Sequence, residues 1–273
     1  MKRFFPDCHT HTRHSKDSQA TMRQYCERAL EMGIDYLAFT DHIDLDPADF
    51  SFGYYNFENA RREFEETRDE FGGRLEIAFG VEVSCQSSLA EEARREIEGR
   101  PYDIVIGSVH ILDGLGGDIS SRENTPRMFK EYGAEAIYRK YLDEVEASIE
   151  QGLYDVIGHI GILKRHGTPY LGNLDLAKFD DRIERIAEKL AKADVALEVN
   201  SSGLRQPPAQ PYPDIEFVKR FIHYGGAKIT VCSDAHVPEN LGRGVPEALE
   251  MLKDIGVNEV TVFKNRTPRQ EAI

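Results

Sequence analysis

Runs of β-forming residues in this chain stop, again and again, at a side chain able to bind a metal. Phe4-Phe5-Pro6-Asp7-Cys8 runs into His9-Thr10-His11, and Tyr36-Leu37-Ala38-Phe39 into Thr40-Asp41-His42. Asp103 to Gly107 leads to Ser108-Val109-His110, Asp155 to Gly158 leads to His159, and Ile229 to Cys232 leads to Ser233-Asp234-Ala235-His236. Glu82 takes the same place after Ile77-Ala78-Phe79-Gly80-Val81. Six of the nine histidines among 273 residues stand at such ends, so composition alone does not account for the placement. Nitrogen and oxygen donors at one end of many strands are what a barrel with a metal cluster at its mouth requires, because barrel chemistry sits at the C-terminal ends of several strands.

Helical patterns separate these strands throughout. Helices are expected over about 21–32, 58–71, 89–98, 130–151, 174–193, 214–223 and 246–254, with strands over about 35–40, 75–83, 103–109, 154–158, 195–200, 228–232 and 259–263. Repeated strand–helix units point to a parallel sheet. Seven or more of them at this length favour closure into a barrel over an open sheet. The stretch 112–127, rich in Gly, Asp and Ser, is the longest without periodicity, and loops of that length in compact domains are often functional. No composition shift divides the chain, so one domain over 1–273 is expected. Neither G-x-G-x-x-G nor G-x-x-x-x-G-K-[ST] occurs, which leaves dinucleotide and P-loop folds unsupported.

Charge narrows the partners. With 34 basic and 48 acidic residues the formal charge is −14, which disfavours broad binding to nucleic acid or an anionic membrane. No run is long enough to span a bilayer, and Met1-Lys2-Arg3-Phe4-Phe5 lacks the apolar core of a signal peptide, so the cytoplasm is the expected compartment. Cys8, Cys26, Cys85 and Cys232 form no C-x-x-C pair and read as small buried hydrophobes. Oligomeric state is not legible.

Residues two apart on an extended segment share a side, so His9 and His11 can reach one ion, and Asp234 and His236 repeat that logic near the other end of the chain. An isolated HxH is more often accidental, and Ser233-Asp234 alone reads equally well as a capped turn. His42, His110 and His159 taken singly are core or surface histidines; together they make a ligand set. A carboxylate such as Glu82 can bridge two ions, and paired divalent ions clamp the attacking and leaving oxygens of a displacement at phosphorus. Mixed His and carboxylate donors suit Zn, Mn or Fe better than Mg or Ca. Lys164 and Arg165 follow His159 by one loop, Arg205 follows Asn200, and Arg122 lies in the long loop. A guanidinium fork matches phosphate oxygens two at a time, although solvated surface charge is the ordinary role of such residues.

Taken together, these motifs resemble the PHP (polymerase and histidinol phosphatase) superfamily of metal-dependent phosphoesterases, in the family's order and over nearly the whole chain. His11 to Ser18, Lys164-Arg165 and Asn200 to Arg205 followed by Pro211-Tyr212-Pro213 resemble its stand-alone histidinol-phosphate phosphatases. The resemblance implies an α/β fold, a distorted (β/α)7 TIM-like barrel, with two or three divalent transition-metal ions (Zn, Mn or Fe) at the C-terminal strand ends. It implies one ion at His9, His11, Glu82 and Asp234, a second at Glu82, His110 and His159, and a third at Asp17, His42 and His236. Asp41 then orients a ligand, while Glu82, Asp234 and His236 serve catalysis. Arg165 and Arg205, with Lys164 and Arg122, are the expected phosphate ligands. The substrate it implies is a small phosphomonoester, L-histidinol phosphate of histidine biosynthesis. Another phosphoester, a nuclease module and a non-catalytic metal-binding barrel are the rival readings. One departure stands out: where many relatives carry Gly-His-x-Asp, this chain has Gly158-His159-Ile160-Gly161.

Overall fold

The computed structural model describes residues 3–172 and 176–273. Seven parallel strands lie side by side in chain order: β1 (Pro6–Thr10), β2 (Tyr36–Ile43), β3 (Glu76–Ser84), β4 (Ile104–Ser108), β5 (Val156–Ile157), β6 (Ala196–Asn200) and β7 (Ile229–Cys232). Beyond their C-terminal ends the first and last strands meet. The Asp234 amide donates to the His9 carbonyl at 3.1 Å and the His11 amide to the Ala235 carbonyl at 2.9 Å, which closes the barrel at its mouth.

Both faces of this sheet are covered, which is why its strands read as unbroken apolar runs. Inside, Cys8, Ala38, Ala78, Ala196 and Cys232 pack among the larger Tyr36, Ile104, Ile106 and Val156. The alternate residues Leu37, Phe39, Ile77, Phe79, Val105 and Leu197 face outward into a larger core shared with the helices. Those helices are α1 (Met22–Met32), α2 (Phe57–Phe71), α3 (Ala90–Ile97), α4 (Asn124–Tyr132), α5 (Ala134–Gln151), α6 (Lys164–Leu171), α7 (Asp180–Lys192), α8 (Ile215–His223) and α9 (Val245–Asp254). Helix α1 shows the local logic. Thr21 caps it with a reciprocal bond to Gln24, and Gly33 ends it in the left-handed conformation (φ 73°) that glycine adopts without strain.

The structure and the sequence reading differ at α4 and α5, at α6 and at the C-terminal hairpin. The helix expected over 130–151 is two helices, α4 and α5, broken at Gly133 (φ 81°, ψ 153°), and α4 begins inside the stretch read as loop. Helix α6 was hidden by Gly167 and Pro169; a Cβ at Gly167 would lie 3.0 Å from the Phe129 ring of α4, so glycine permits that close packing. The expected helix start at 174 lies outside the described residues. The final strand, β8 (Glu259–Lys264), does not extend the barrel. It pairs antiparallel with β9 (Thr267–Ala272) across a two-residue turn whose Asn265 and Arg266 both have positive φ, the geometry a tight hairpin needs. Val262 and Phe263 of this hairpin plug the floor of the barrel, and Arg266 grips Asp155 at 2.9 Å. The polar sequence of β9 gave no strand signal.

Candidate metal centre

Alternation along the strands places most donors. Ala78 points into the barrel, so Glu82, four residues on, points inward at the mouth; Ala38 sets His42 and Ile106 sets His110 in the same way. Strand β1 breaks the rule. Cys8 faces inward, so strict alternation would turn His9 outward, but the β1–β2 register shifts between Asp7 and Thr10. That irregularity re-aims the chain and turns His9 inward as well.

Glu82, almost fully buried, sits at the centre. Its Oε2 lies 3.3 Å from His9 Nε2, 3.5 Å from His11 Nε2 and 3.0 Å from His42 Nδ1. Its Oε1 lies 2.7 Å from His159 Nε2 and 3.4 Å from His110 Nε2. Asp234 Oδ1 is 3.4 Å from His11 Nε2, and Asp17 Oδ2 is 3.1 Å from His236 Nε2 and 3.6 Å from His42 Nε2. All nine expected donors lie in this cluster, Asp17 included, and three sets of them stand close enough to hold one ion each: His9, His11 and Asp234; His11, His42 and His236; and His42, Glu82 and His110, so that His11 and His42 are shared between neighbours.

The donor set fits cations. Ligands about 2.0–2.1 Å from one tetrahedral ion sit about 3.3 Å apart, close to the separations here. His9 Nε2 and His11 Nε2 approach to 3.0 Å, and His110 Nε2 and His159 Nε2 to 3.3 Å, contacts suited to lone pairs turned toward a shared positive charge. His42 Nδ1 is buried and badly aligned for a hydrogen bond despite its nearness to Glu82. The electrostatics agree. Burial pulls the His9 imidazole pKa down, but the carboxylates of Glu82 and Glu198 outweigh it and raise it well above the usual value. Burial pushes Glu82 up, yet the imidazoles of His9, His110 and His42 hold it well below the ordinary carboxylate range. His11 is lowered by burial and by its like-charged neighbours His236 and His42. The pocket attracts positive charge, which divalent ions supply without protons.

A second ring of residues fixes the donors. Glu198, fully buried on β6, accepts from His9 Nδ1 at 2.7 Å and from the His159 amide at 2.7 Å, so one carboxylate orients two donors. Sequence reasoning missed it. The available signal was a lone carboxylate within the apolar run Val195 to Val199, on the inward side two residues before Asn200. Asp41 accepts from Thr12 and from Ser15 Oγ at 2.8 Å, and Ser15 Oγ lies 3.2 Å from His11 Nδ1, so Asp41 acts on the cluster through a serine. Asp7 takes backbone bonds from Ser233 and Gly242, both at 2.8 Å, and anchors the loop bearing Asp234; burial lifts its carboxyl to about 6 against those bonds.

The phosphate candidates separate. Arg165 lines the mouth beside His159 and His236, with Asp44, Asp49, Asp118 and Ser120 around it, and the free space left there is about 60 Å³. Lys164, expected beside it, turns the other way and pairs with Asp214 at 2.9 Å. Arg205 donates to the Ser233 carbonyl at 2.6 Å and the Arg243 carbonyl at 3.1 Å, and burial lowers its pKa. Arg122 is exposed on its loop. The departure at Gly161 has a backbone reason: its φ of 106° suits glycine, and its amide donates to the Tyr141 hydroxyl at 2.6 Å. His14 pairs with Glu63 at 2.8 Å, outside the cluster.

A family model described as PHP domain matches residues 7–202. The chain is 29% identical to a "Probable histidinol-phosphatase" of Deinococcus radiodurans, covering 95% of this chain and 96% of that one. It is 27% identical to a histidinol-phosphatase of Lactococcus lactis, over 94% and 93%. The fold superposes on a crystal structure of histidinol phosphate phosphatase from Lactococcus lactis, complexed with zinc, L-histidinol and phosphate. The TM-score is 0.82 at 23% identity, covering 97% of this chain and 98% of that one, a likeness of fold.

Proposed function

The chain belongs to the PHP domain family, and on that premise we propose that it is a metal-dependent phosphomonoesterase that hydrolyses L-histidinol phosphate to L-histidinol and phosphate. The observation that carries this reading is the convergence of five histidines on the two oxygens of Glu82, with Asp17, Asp234 and His236 beside them and Arg165 at the rim. Relatives of matching length named histidinol-phosphatase support the substrate. So does the rim itself. Asp44, Asp49 and Asp118 stand around one arginine, a setting for a substrate that carries phosphate at one end and positive charge at the other.

In this reading two or three ions, of Zn, Mn or Fe, would be held by His9, His11, Glu82 and Asp234, by Glu82, His110 and His159, and by Asp17, His42 and His236. When bound, they polarise the phosphoryl group and make water acidic enough to deprotonate near neutral pH. Arg165 holds the phosphate oxygens against them. Asp234, whose Oδ2 accepts from Asn200 Nδ2 at 3.2 Å, and His236, partly open to solvent beside Asp17, would serve catalysis as ligands that fix where the attacking water sits. The family match ends at 202, yet β7 completes the sheet and carries Asp234 and His236 to the mouth, so we take residues 1–273 as one catalytic unit. No helix among the described residues is long and apolar enough to cross a membrane; we infer cytoplasmic work on a small molecule.

Metal content and kcat/KM for L-histidinol phosphate, measured on one preparation beside a panel of aryl and sugar phosphates, test the reading. It requires bound transition metal and a clear preference for histidinol phosphate. Metal without any phosphomonoesterase activity refutes it, and equal rates across the panel refute the substrate. His9→Ala and Asp234→Ala, folded by thermal melt, are expected to lose activity.

A further inference from the structure

Two loops carry most of the groups that surround Arg165 at the mouth. The loop after β2 brings Asp44, Asp49, Phe50 and Ser51, and the loop after β4 brings Asp118 and Ser120. Neither loop belongs to the sheet, so side-chain contacts must fix where these groups stand.

One residue outside the metal centre makes a contact to both. Gln86, on the turn after β3, is 2% exposed and is not among the residues that line the mouth. Its Nε2 donates to Asp46 Oδ2 of the first loop at 2.9 Å and to Asp113 Oδ1 of the second at 3.1 Å. Its Oε1 has no hydrogen-bond partner among the described residues, so the polar contacts of this side chain go to the two loops alone. Two carboxylates thus meet on one NH₂ group, which separates like charges that would otherwise face each other.

Each carboxylate organises its own loop. Asp46 Oδ1 accepts from the Ala48 amide at 2.8 Å and the Asp46 carbonyl from the Asp49 amide at 2.9 Å, so the place of Asp46 sets that of Asp49. Outside its loop the Asp46 carboxylate makes no other hydrogen bond or ion pair among the described residues. Asp113 is held more firmly, by Ser87 Oγ at 2.9 Å, the Ser88 amide at 2.9 Å and Ser88 Oγ at 2.7 Å. Asp118 then bridges back to Ile111. The turn that bears Gln86 is itself fixed. The Cys85 amide donates to the Ser108 carbonyl at 2.8 Å, and the Ser87 amide to buried Glu144 of α5 at 3.2 Å.

We propose that Gln86 is a positioning residue that locks the loop after β2 to the loop after β4, and so sets the mouth's preference for a leaving group that carries positive charge. The preference rests on the phosphatase reading above; the lock does not. Asp44 and Asp49 attract a cationic leaving group only where the loop holds them, and Gln86 is the fixed point from which that loop is held.

Gln86→Leu keeps the bulk and removes both bonds, while Gln86→Glu keeps the shape and sets a third carboxylate against two. Each is compared with the wild type as full-length, metal-loaded protein. Amide hydrogen exchange should quicken at least about threefold over 46–52 in both variants, and less over 112–118, where Ser87 and Ser88 still hold Asp113. The value of kcat/KM for L-histidinol phosphate should fall about tenfold, mostly through KM, and the preference for it over 4-nitrophenyl phosphate at least about fivefold. Adding Asp46→Asn to Gln86→Glu returns a donor to face the new carboxylate. It should recover at least about half of the lost preference on a logarithmic scale, a rescue that general loosening of the fold does not give. Gln86→Glu, alone and with Asp46→Asn, decides the question even if Gln86→Leu fails to fold. Unchanged exchange over 46–52 overturns the lock, and loosened loops with an unchanged preference overturn its part in substrate choice. A wild type without phosphomonoesterase activity sinks the phosphatase reading and the preference with it, and exchange alone then judges the lock.

Discussion

Replacing Glu198 by glutamine keeps the shape and removes what the shape is for. In the native protein Oε1 accepts from His9 Nδ1 at 2.7 Å, while Oε2 accepts from the His159 amide at 2.7 Å and from Asn200 Nδ2 at 3.2 Å. Every neighbour is a donor, and a carboxylate can accept from all of them. An amide has one oxygen. If that oxygen faces His9, the NH₂ meets the His159 amide and Asn200, donor against donor. If it faces His159, His9 Nδ1 must become the acceptor and its proton moves to Nε2, the nitrogen turned toward Glu82 and the cluster. The first arrangement leaves buried donors unmatched, at a cost of about 1–3 kcal/mol; the second puts a proton on the nitrogen that a metal needs. Loss of an outer partner of a metal-binding histidine weakens metal affinity by roughly 10–100-fold. Glu198→Gln is therefore expected to fold, to melt at a lower temperature and to hold metal about 10–100-fold less tightly in a chelator-competition titration. Because the residue acts through His9 and His159, excess free metal should restore most of kcat/KM. A folded variant with wild-type metal affinity and wild-type kcat/KM refutes the reasoning.

Further perturbations separate other parts of the account. Arg165→Ala should lower kcat/KM for a phosphomonoester by roughly 30–150-fold, the loss of a charge-assisted bond of about 2–3 kcal/mol, whereas Lys164→Ala should change it only a few fold; equal losses would show that both touch phosphate. For His110, burial lowers the pKa but Glu82 outweighs it and raises it from 6.5 to about 10. Its stabilising contribution to metal-free protein is therefore full below about 6.5 and lost as pH climbs through 10. Metal must displace that proton, so affinity should rise with pH from 6.5 to 8.5 while the apoprotein loses stability; a pH-independent affinity would contradict the raised imidazole. Gly80→Ala would set a Cβ 2.5 Å from Ile104 Cγ2 and 2.6 Å from its carbonyl oxygen, between packed strands. A cost of about 3 kcal/mol is expected, lowering the melting temperature by roughly 5–10 °C, and an unchanged melt would refute the packing.

Much of this molecule was legible before any coordinate. Apolar runs of strand length ending in His, Asp or Glu, with helical patterns between them, dictate a parallel barrel with its chemistry at one end, because covered parallel strands must be apolar and only their ends are free to carry charge. The nine donors were named on that ground and by resemblance, and the chain folds them together. Even the break in the pattern at His9 was invisible, since a shift in strand register leaves no mark in composition; only the pairing of β1 with β2 shows that two consecutive side chains point inward. The hairpin floor was half-read, because β9 is polar and its strand character comes from β8 across the turn. Glu198 looked like any charged residue until the barrel closed around it. Lys164 and Arg165 are neighbours in sequence and opposites in space, divided by the first turn of α6, where consecutive residues point about 100° apart around the helix axis. Residue type and spacing determined which chemistry the chain could perform. Tertiary structure decided which donors share an oxygen, which cation turns to the mouth and which meets Asp214, since those depend on how separate elements turn their faces toward one another.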